Sequence, residues 1–194
     1  MMKVLVVIAH PHQDSFNYAI LDRLKLGLQR AGHSVDVQDL YASGFDPVLR
    51  GEELAALQQG HLSADVDSEQ SRIKAAEGLI FIYPLWWFDR PAMLKGWCDR
   101  VLTQGFAFQY DDLGVTGLLP CRKAMVIVTS GGSEAELIDL GAGKEQLLLP
   151  MTAGTLGYCG IPEVEGHVYF SVSMASAPLR AEMLGEVEAL GAGF

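Results

Sequence analysis

The residues best suited to chemistry fall in three short segments. The first, His10-Pro11-His12-Gln13-Asp14-Ser15-Phe16-Asn17, runs into an amphipathic stretch. A helix opening there would turn free N–H groups and its positive dipole end toward an anion. Ser15 and Asn17 would add hydrogen bonds, and His10 a donor or a charge. The plainer alternative is that Asp14 or Ser15 caps the helix and nothing binds. The second segment, Pro84-Leu85-Trp86-Trp87-Phe88, holds three adjacent large rings that cannot all turn inward from one strand end. They suit a flat wall for an aromatic ligand, with the backbone N–H groups between them free to meet its edge. The competing reading puts two rings in the core and one at a surface. The third segment, Thr129-Ser130-Gly131-Gly132-Ser133, has paired glycines. They let a backbone approach a ligand closely and offer a small array of amide donors, or else make an ordinary tight turn.

Other chemistries find no footing. His10 and His12 point to opposite sides of an extended chain and no third ligand is evident, so no metal is expected. Cys98, Cys121 and Cys159 have neither metal-ligand nor disulfide-framework spacing. Cys98 falls on the apolar face of a helical pattern and reads as core. The motifs G-x-G-x-x-G, G-K-S/T and G-x-S-x-G are all absent.

Regular elements must hold these segments in place. Residues 4–9, 79–83 and 124–129 are continuous apolar runs, the mark of parallel strands covered on both faces. Residues 35–40 and 164–170 alternate more and complete a set of five strands. Helical patterns lie between them, over 15–31, 65–76, 91–102, 150–159 and 178–190. The first carries Phe16, Ile20, Leu24 and Leu28 at steps of four and stops at Gly32. Alternating strands and helices predict an α/β fold, a doubly wound five-stranded parallel sheet. On strand count the flavodoxin-like order 2-1-3-4-5 is chosen. In such a sheet ligands bind beyond the carboxyl ends of the strands where the winding reverses, and all three segments are strand exits on that edge. The long irregular stretches, 41–51, 105–119 and 130–145, are of a length that usually serves function.

The composition narrows the partners. With 194 residues the chain is expected to form one domain, 1–194, with a sizeable core. Half of it is hydrophobic (49%) and 20% is charged, which excludes disorder. The net charge of −10 argues against nucleic acid or an anionic membrane as main partner, though not against a local basic pocket. Residues 1–10 hold too short an apolar run for a secretory signal and fit a buried strand better. No run approaches a membrane span. Sparse cysteines fit a reducing, cytoplasmic setting.

The segments, taken together and in order, resemble the NAD(P)H:quinone oxidoreductase family of flavodoxin-fold flavoproteins. That group includes DT-diaphorase, bacterial drug-activity modulators and ancillary subunits of glutathione-gated potassium efflux systems. The likeness runs through Ala9-His10, Ser15-Phe16-Asn17-Tyr18-Ala19, Asp39-Leu40-Tyr41, Phe45-Asp46-Pro47, Glu69-Gln70 and Pro84-Leu85-Trp86-Trp87-Phe88. It continues through Pro91-Ala92-Met93-Leu94-Lys95-Gly96-Trp97, Phe106-Ala107-Phe108-Gln109-Tyr110 and Thr129-Ser130-Gly131-Gly132. It covers nearly the whole chain.

The resemblance implies a flavin-dependent oxidoreductase that takes two electrons from NAD(P)H and passes them, by ping-pong hydride transfer, to quinone-, nitro- or azo-type acceptors. His10, Ser15, Phe16 and Asn17 would hold the flavin phosphates. Pro84, Leu85, Trp86, Trp87, Phe88, Thr129, Ser130, Gly131 and Gly132 would frame the ring system. Gln70 matches a flavin contact, and Arg180 falls near where an adenine would lie, which favours FAD, with FMN as the alternative. The family forms homodimers, and Phe108 and Tyr110 match residues that reach the substrate pocket from the partner chain, beside Trp86. Two positions depart from the pattern: where the quinone reductases carry a Tyr and a His, an ungapped alignment from Thr129 puts Leu137 and Gly143. Neither donates a side-chain hydrogen bond. The resemblance also admits a second role, a regulatory ancillary subunit docked on a membrane potassium transporter.

Overall fold

The computed structural model describes residues 1–112 and 114–194. Five strands form the central parallel sheet: β1 (Lys3–Ile8), β2 (Ser34–Asp39), β3 (Gly78–Pro84), β6 (Lys123–Thr129) and β7 (Glu163–Tyr169), in the order β2-β1-β3-β6-β7. This is the expected 2-1-3-4-5 order. The labels differ because an antiparallel hairpin, β4 (Phe108–Asp111) with β5 (Gly114–Gly117), is inserted between β3 and β6 and stands outside the sheet.

The continuous apolar runs are buried because helices cover both sides. Successive side chains of a strand point to opposite faces. Leu5 and Val7 of β1 therefore join one core with Phe81, Trp97 and Val126 under α3 (Ala64–Lys74) and α4 (Ala92–Val101). Val4, Val6 and Ile8 join another with Ile20, Leu24 and Leu28 under α1 (Phe16–Arg30) and α7 (Ala177–Gly193). The α1 stripe is the one read from sequence, and Gly32 past its end sits at φ 82°, as a helix stop should.

The seam between α1 and α7 is unusually close. A Cβ added at Gly27 would lie 2.1 Å from the Glu188 carbonyl oxygen, and one at Gly191 would lie 2.6 Å from that of Leu24. Arg23 and Arg30 of α1 both reach the Glu188 carboxylate across it.

The stretches read as irregular contain more order than expected. Residues 41–51 stay irregular almost to their end, where α2 (Gly51–Gln58) begins. The hairpin occupies the middle of 105–119. The 130–145 stretch holds α5 (Glu134–Asp139), opened by a capping box between Ser133 and Glu136, and the start of α6 (Lys144–Leu148). The expected helix over 150–159 is a π-helical turn, Thr152–Gly157.

Candidate functional site

Three strand exits and one helix N-terminus meet at the carboxyl edge, between β1, β3 and β6. They enclose a cleft of about 440 Å³ lined by His10, Ser15, Phe16, Asn17, Pro84, Leu85, Trp86, Thr129, Gly131, Val172, Ser173 and Arg180. The lining contains no carboxylate, although the chain carries a net −10. Its one permanent cation is Arg180, whose Nη2 donates to the Ser173 carbonyl at 3.4 Å.

The head of α1 is built to hold something. Ser15 occupies the N-cap position, yet its hydroxyl makes no cap hydrogen bond. Its Oγ and the Oδ1 of Asn17 are buried atoms without a hydrogen-bond partner, and such groups are costly to leave unpaired. Asn17 Nδ2 donates to Thr129 Oγ1 at 3.0 Å, joining the first exit to the third. Thr129 can equally donate, so the opposite amide orientation turns the Asn17 NH₂ group to the cleft.

His10 is oriented by its neighbour: its Nδ1 lies 3.0 Å from the His12 N–H and 3.1 Å from the His12 carbonyl oxygen, and in the neutral tautomer that accepts the N–H the ring's proton is on Nε2. Burial holds its pKa below the ordinary 6.5, outweighing the hydrogen bond to the His12 backbone, which raises it. Next to it, Tyr18 donates its hydroxyl to Asp39 Oδ2 at 2.5 Å, which pins the start of α1 to the end of β2. Burial and that carboxylate both push the Tyr18 pKa upward, so the phenol keeps its proton.

The ring segment takes a form not foreseen. Trp86 and Asp89 exchange both backbone hydrogen bonds, at 2.9 and 3.1 Å, around a two-residue loop. That loop is Trp87-Phe88, at φ 52° and 62°. Two successive positive φ angles characterise the turn normally made by Asn-Gly, and L side chains there are strained. Trp86 contacts the His10 ring at 6.0 Å and lines the cleft. Trp87 at 98% and Phe88 at 45% exposure stand outside it, so neither is a core residue.

The third exit closes the cleft from below. Ser130 is buried and donates from Oγ to the Gly132 carbonyl, while Gly131 lines the cleft. A fourth exit, after β7, was missed. Val172 N–H donates to the Ser130 carbonyl and Ser171 N–H to that of Gly132, which brings Val172 and Ser173 onto the cleft wall. The rule that ligands gather at strand exits applies to β7 as to the others and would have found it.

Besides Trp87 and Phe88, the expected Ser130 and Gly132 do not line the cleft, and Gln70, Phe108 and Tyr110 lie away from it altogether. Gln70 is buried in the α3–α4 seam and its Nε2 donates to the Val101 carbonyl and to Thr103 Oγ1, both at 3.0 Å. It lines a separate cavity with Lys74, Thr103 and Phe106, and the cleft does not include it. The adjacent Glu69 accepts from Trp97 Nε1 at 2.9 Å, so the Glu-Gln pair ties two helices together. Phe108 and Tyr110 stand on the hairpin, edge-to-face with each other, and Tyr158 joins them through a 5.4 Å ring contact and a 3.2 Å hydroxyl bond. Of the two departures from the family pattern, Leu137 is buried against the Gly132 loop and Gly143 is the N-cap of α6. The cysteines are inert core: burial pushes the Cys98 and Cys121 thiols up to about 12 and Cys159 to about 11.

An open parallel sheet with an acid-free cleft at its switch point, headed by a helix N-terminus, belongs to the α/β proteins that bind nucleotide-like ligands. Residues 2–190 match the family described as having a flavodoxin-like fold. NAD(P)H dehydrogenase (quinone) 1 of Cavia porcellus is 34% identical over 201 residues, covering 94% of this chain and 73% of that one. Ribosyldihydronicotinamide dehydrogenase (quinone) of Homo sapiens is also 34% identical, covering 94% of this chain and 87% of that one. The solved NAD(P)H:quinone oxidoreductase from Methanothermobacter marburgensis superposes with a TM-score of 0.90 at 34% identity, over 99% of this chain and 96% of that one. The chain belongs to the flavodoxin-like NAD(P)H:quinone oxidoreductase family, and it is an oxidoreductase. Among the described residues no helix is long and apolar enough to cross a membrane.

Proposed function

We propose that the cleft holds a flavin and that the protein passes two electrons from NAD(P)H to small quinone-type acceptors, with nitro and azo compounds as further candidates. One observation carries this reading: the acid-free cleft ends in two buried polar atoms, Ser15 Oγ and Asn17 Oδ1, that have no protein partner. A phosphate chain at the head of α1 would accept from the Ser15 hydroxyl and, with the amide turned so that Oδ1 accepts from Thr129, from Asn17 Nδ2. His10 Nε2–H, the first-turn amides and the Asn17 amide would bind it. Arg180, further along the cleft, would meet the distal part of a dinucleotide, which favours FAD over FMN.

When bound, the flavin supplies the electron-transfer chemistry. The chain's own residues bind and orient. Trp86 lines the cleft wall, where it would stack on the ring system, and the amides of 129–132 would meet its edge. Leu137 and Gly143 offer no side-chain donor, so stabilisation of developing charge falls to backbone N–H groups. The open side admits donor and acceptor in turn, which is the physical requirement for a ping-pong cycle. In a homodimer the Phe108, Tyr110 and Tyr158 rings would complete the partner's pocket.

The test is a visible absorbance scan of the purified protein with FAD or FMN added, followed by anaerobic NADH or NADPH. Uptake of flavin and rapid single-step bleaching support the reading. Failure to take up either flavin refutes it. An acceptor screen and the double-reciprocal pattern then decide acceptor class and mechanism.

A further inference from the structure

Arg90 stands directly behind the ring-bearing loop, and nothing in the cleft accounts for it. Its side chain is only 8% exposed. A single nitrogen, Nη1, donates to three groups: Thr155 Oγ1 at 3.1 Å, Met151 Sδ at 3.2 Å and the Pro150 carbonyl at 3.3 Å. Its Nε is buried and makes no hydrogen bond, and the Asp89 carboxylate is 3.9 Å away. Burying a guanidinium with so little charge compensation is costly. An apolar side chain of similar length would fill the space without that penalty, so the position of the guanidinium itself carries the meaning.

Two functional-looking pieces meet at it. On one side is the strained loop of residues 86–89, with Trp87 and Phe88 at positive φ. Strain of this kind persists only where the surroundings over-determine the conformation, and the paired Trp86–Asp89 bonds alone must hold it from within. On the other side is the π-helical turn Thr152–Gly157, a form that frequents functional sites. Its next residue, Tyr158, joins the Phe108–Tyr110 ring pair. Thr155 is preset for the contact, since its hydroxyl donates to the Pro150 carbonyl at 2.7 Å and so keeps its lone pairs for Arg90.

We propose that Arg90 is a positioning residue that locks the Trp86–Asp89 loop to the π-helical turn, so that the ring wall and the Phe108–Tyr110–Tyr158 cluster keep one registered geometry. The contacts themselves stand without a ligand; their consequence for catalysis rests on the flavin reading above. Because all three bonds come from one nitrogen, a lysine ammonium, one atom shorter but carrying the charge and three donors, can keep part of them, whereas methionine can keep none.

Amide hydrogen exchange read by mass spectrometry tests the lock, on wild type, Arg90→Met, Arg90→Lys and Thr155→Val, as purified and with FAD added. Arg90→Met is expected to speed exchange about 10-fold at both 85–89 and 152–158, since both lose a shared anchor. Thr155→Val, a change outside the loop, is expected to speed exchange at 85–89, and Arg90→Lys to stay within about 3-fold of wild type. The double variant Arg90→Met/Thr155→Val should be no worse than Arg90→Met alone, because the two share one interaction. In the flavin-loaded protein Arg90→Met should raise the flavin dissociation constant about 10-fold, with Arg90→Lys restoring it. Wild-type exchange at 85–89 in Thr155→Val, or acceleration confined to 85–89 in Arg90→Met, overturns the proposal. If Arg90→Met does not fold, Thr155→Val and Arg90→Lys give the same decision. If wild type takes up no flavin, the functional reading fails while the exchange comparison still decides the lock.

Discussion

Replacing Trp87 by glycine separates what the loop does for the ligand from what it does for the fold. Trp87 is 98% exposed, so its removal forfeits no buried apolar surface. Its φ of 52° is a left-handed conformation that disfavours an L side chain by about 1–2 kcal/mol. Glycine is free of that penalty but enlarges the freedom of the unfolded chain, which offsets about 0.5–1 kcal/mol. The balance is a ligand-free protein more stable by about 0.5–1 kcal/mol, or a rise of about 1–4 °C in Tm for a chain of this size. If the Trp87 ring folds over a bound flavin, the same change should weaken flavin retention about 10-fold, on the scale of one aromatic contact. The assay is paired: thermal unfolding of flavin-free wild type and Trp87→Gly, then flavin titration of each by fluorescence. A lower Tm for the variant would show that the loop is not strained, and unchanged flavin affinity would show that Trp87 takes no part in binding.

Further outcomes follow from the cleft and the core. Thr129→Val leaves the buried Asn17 Nδ2 without an acceptor; chemical denaturation should show a loss of about 1–3 kcal/mol. Gly27→Ala forces a methyl to within 2.1 Å of the Glu188 carbonyl oxygen, and the overpacked helix seam should lose about 1–3 kcal/mol in the same assay. His10 and His167 both have pKa values held below the ordinary 6.5 by burial. Between the folded and unfolded values the unfolded chain binds more protons, so stability rises with pH there, is complete above about 6.5 and falls on acidification. His10→Asn should flatten that slope in a series of melts from neutral to mildly acid pH, and an unchanged slope would remove His10 from the account. Gly143→His sets its Cβ 3.0 Å from the end of the flexible Gln146 side chain and 3.9 Å from Ile138 Cγ1; it should fold normally, and its quinone turnover measures what a donor there contributes.

The sheet was legible because its central strands are apolar on both sides, a pattern that only a doubly covered parallel strand requires. The hairpin was not. Tyr110 and Val115 are exposed apolar residues in strands of four, too short and too wet to leave a periodic signal. Helix α2 buries none of its residues, so it shows no apolar stripe either. The start of α5 did carry a readable signal: Ser133 and Glu136 have capping-box spacing. It went unread because Leu137 is the single buried residue behind it. In the site, residue types at the strand exits were enough to place His10, Ser15, Asn17, Trp86, Thr129 and Gly131 on one cleft. Gln70 shows the limit of likeness by position. A matching residue type was carried over, but its surroundings, the Val101 carbonyl and Thr103, are a property of the packed helices.

The tight α1–α7 seam has a consequence for the ligand. Ser15 heads one of these helices, and Arg180 sits in the first turn of the other. Both side chains line the cleft, and the glycine contacts hold the two shafts at the closest approach their backbones allow. If the cleft holds the dinucleotide proposed above, the pair acts as a caliper whose jaws are preset before it binds. A ligand would then be gauged by its length from phosphate to far end, and one that is too short would touch a single jaw. Widening the shafts at Gly27 would reset the gauge without altering a residue that touches the ligand.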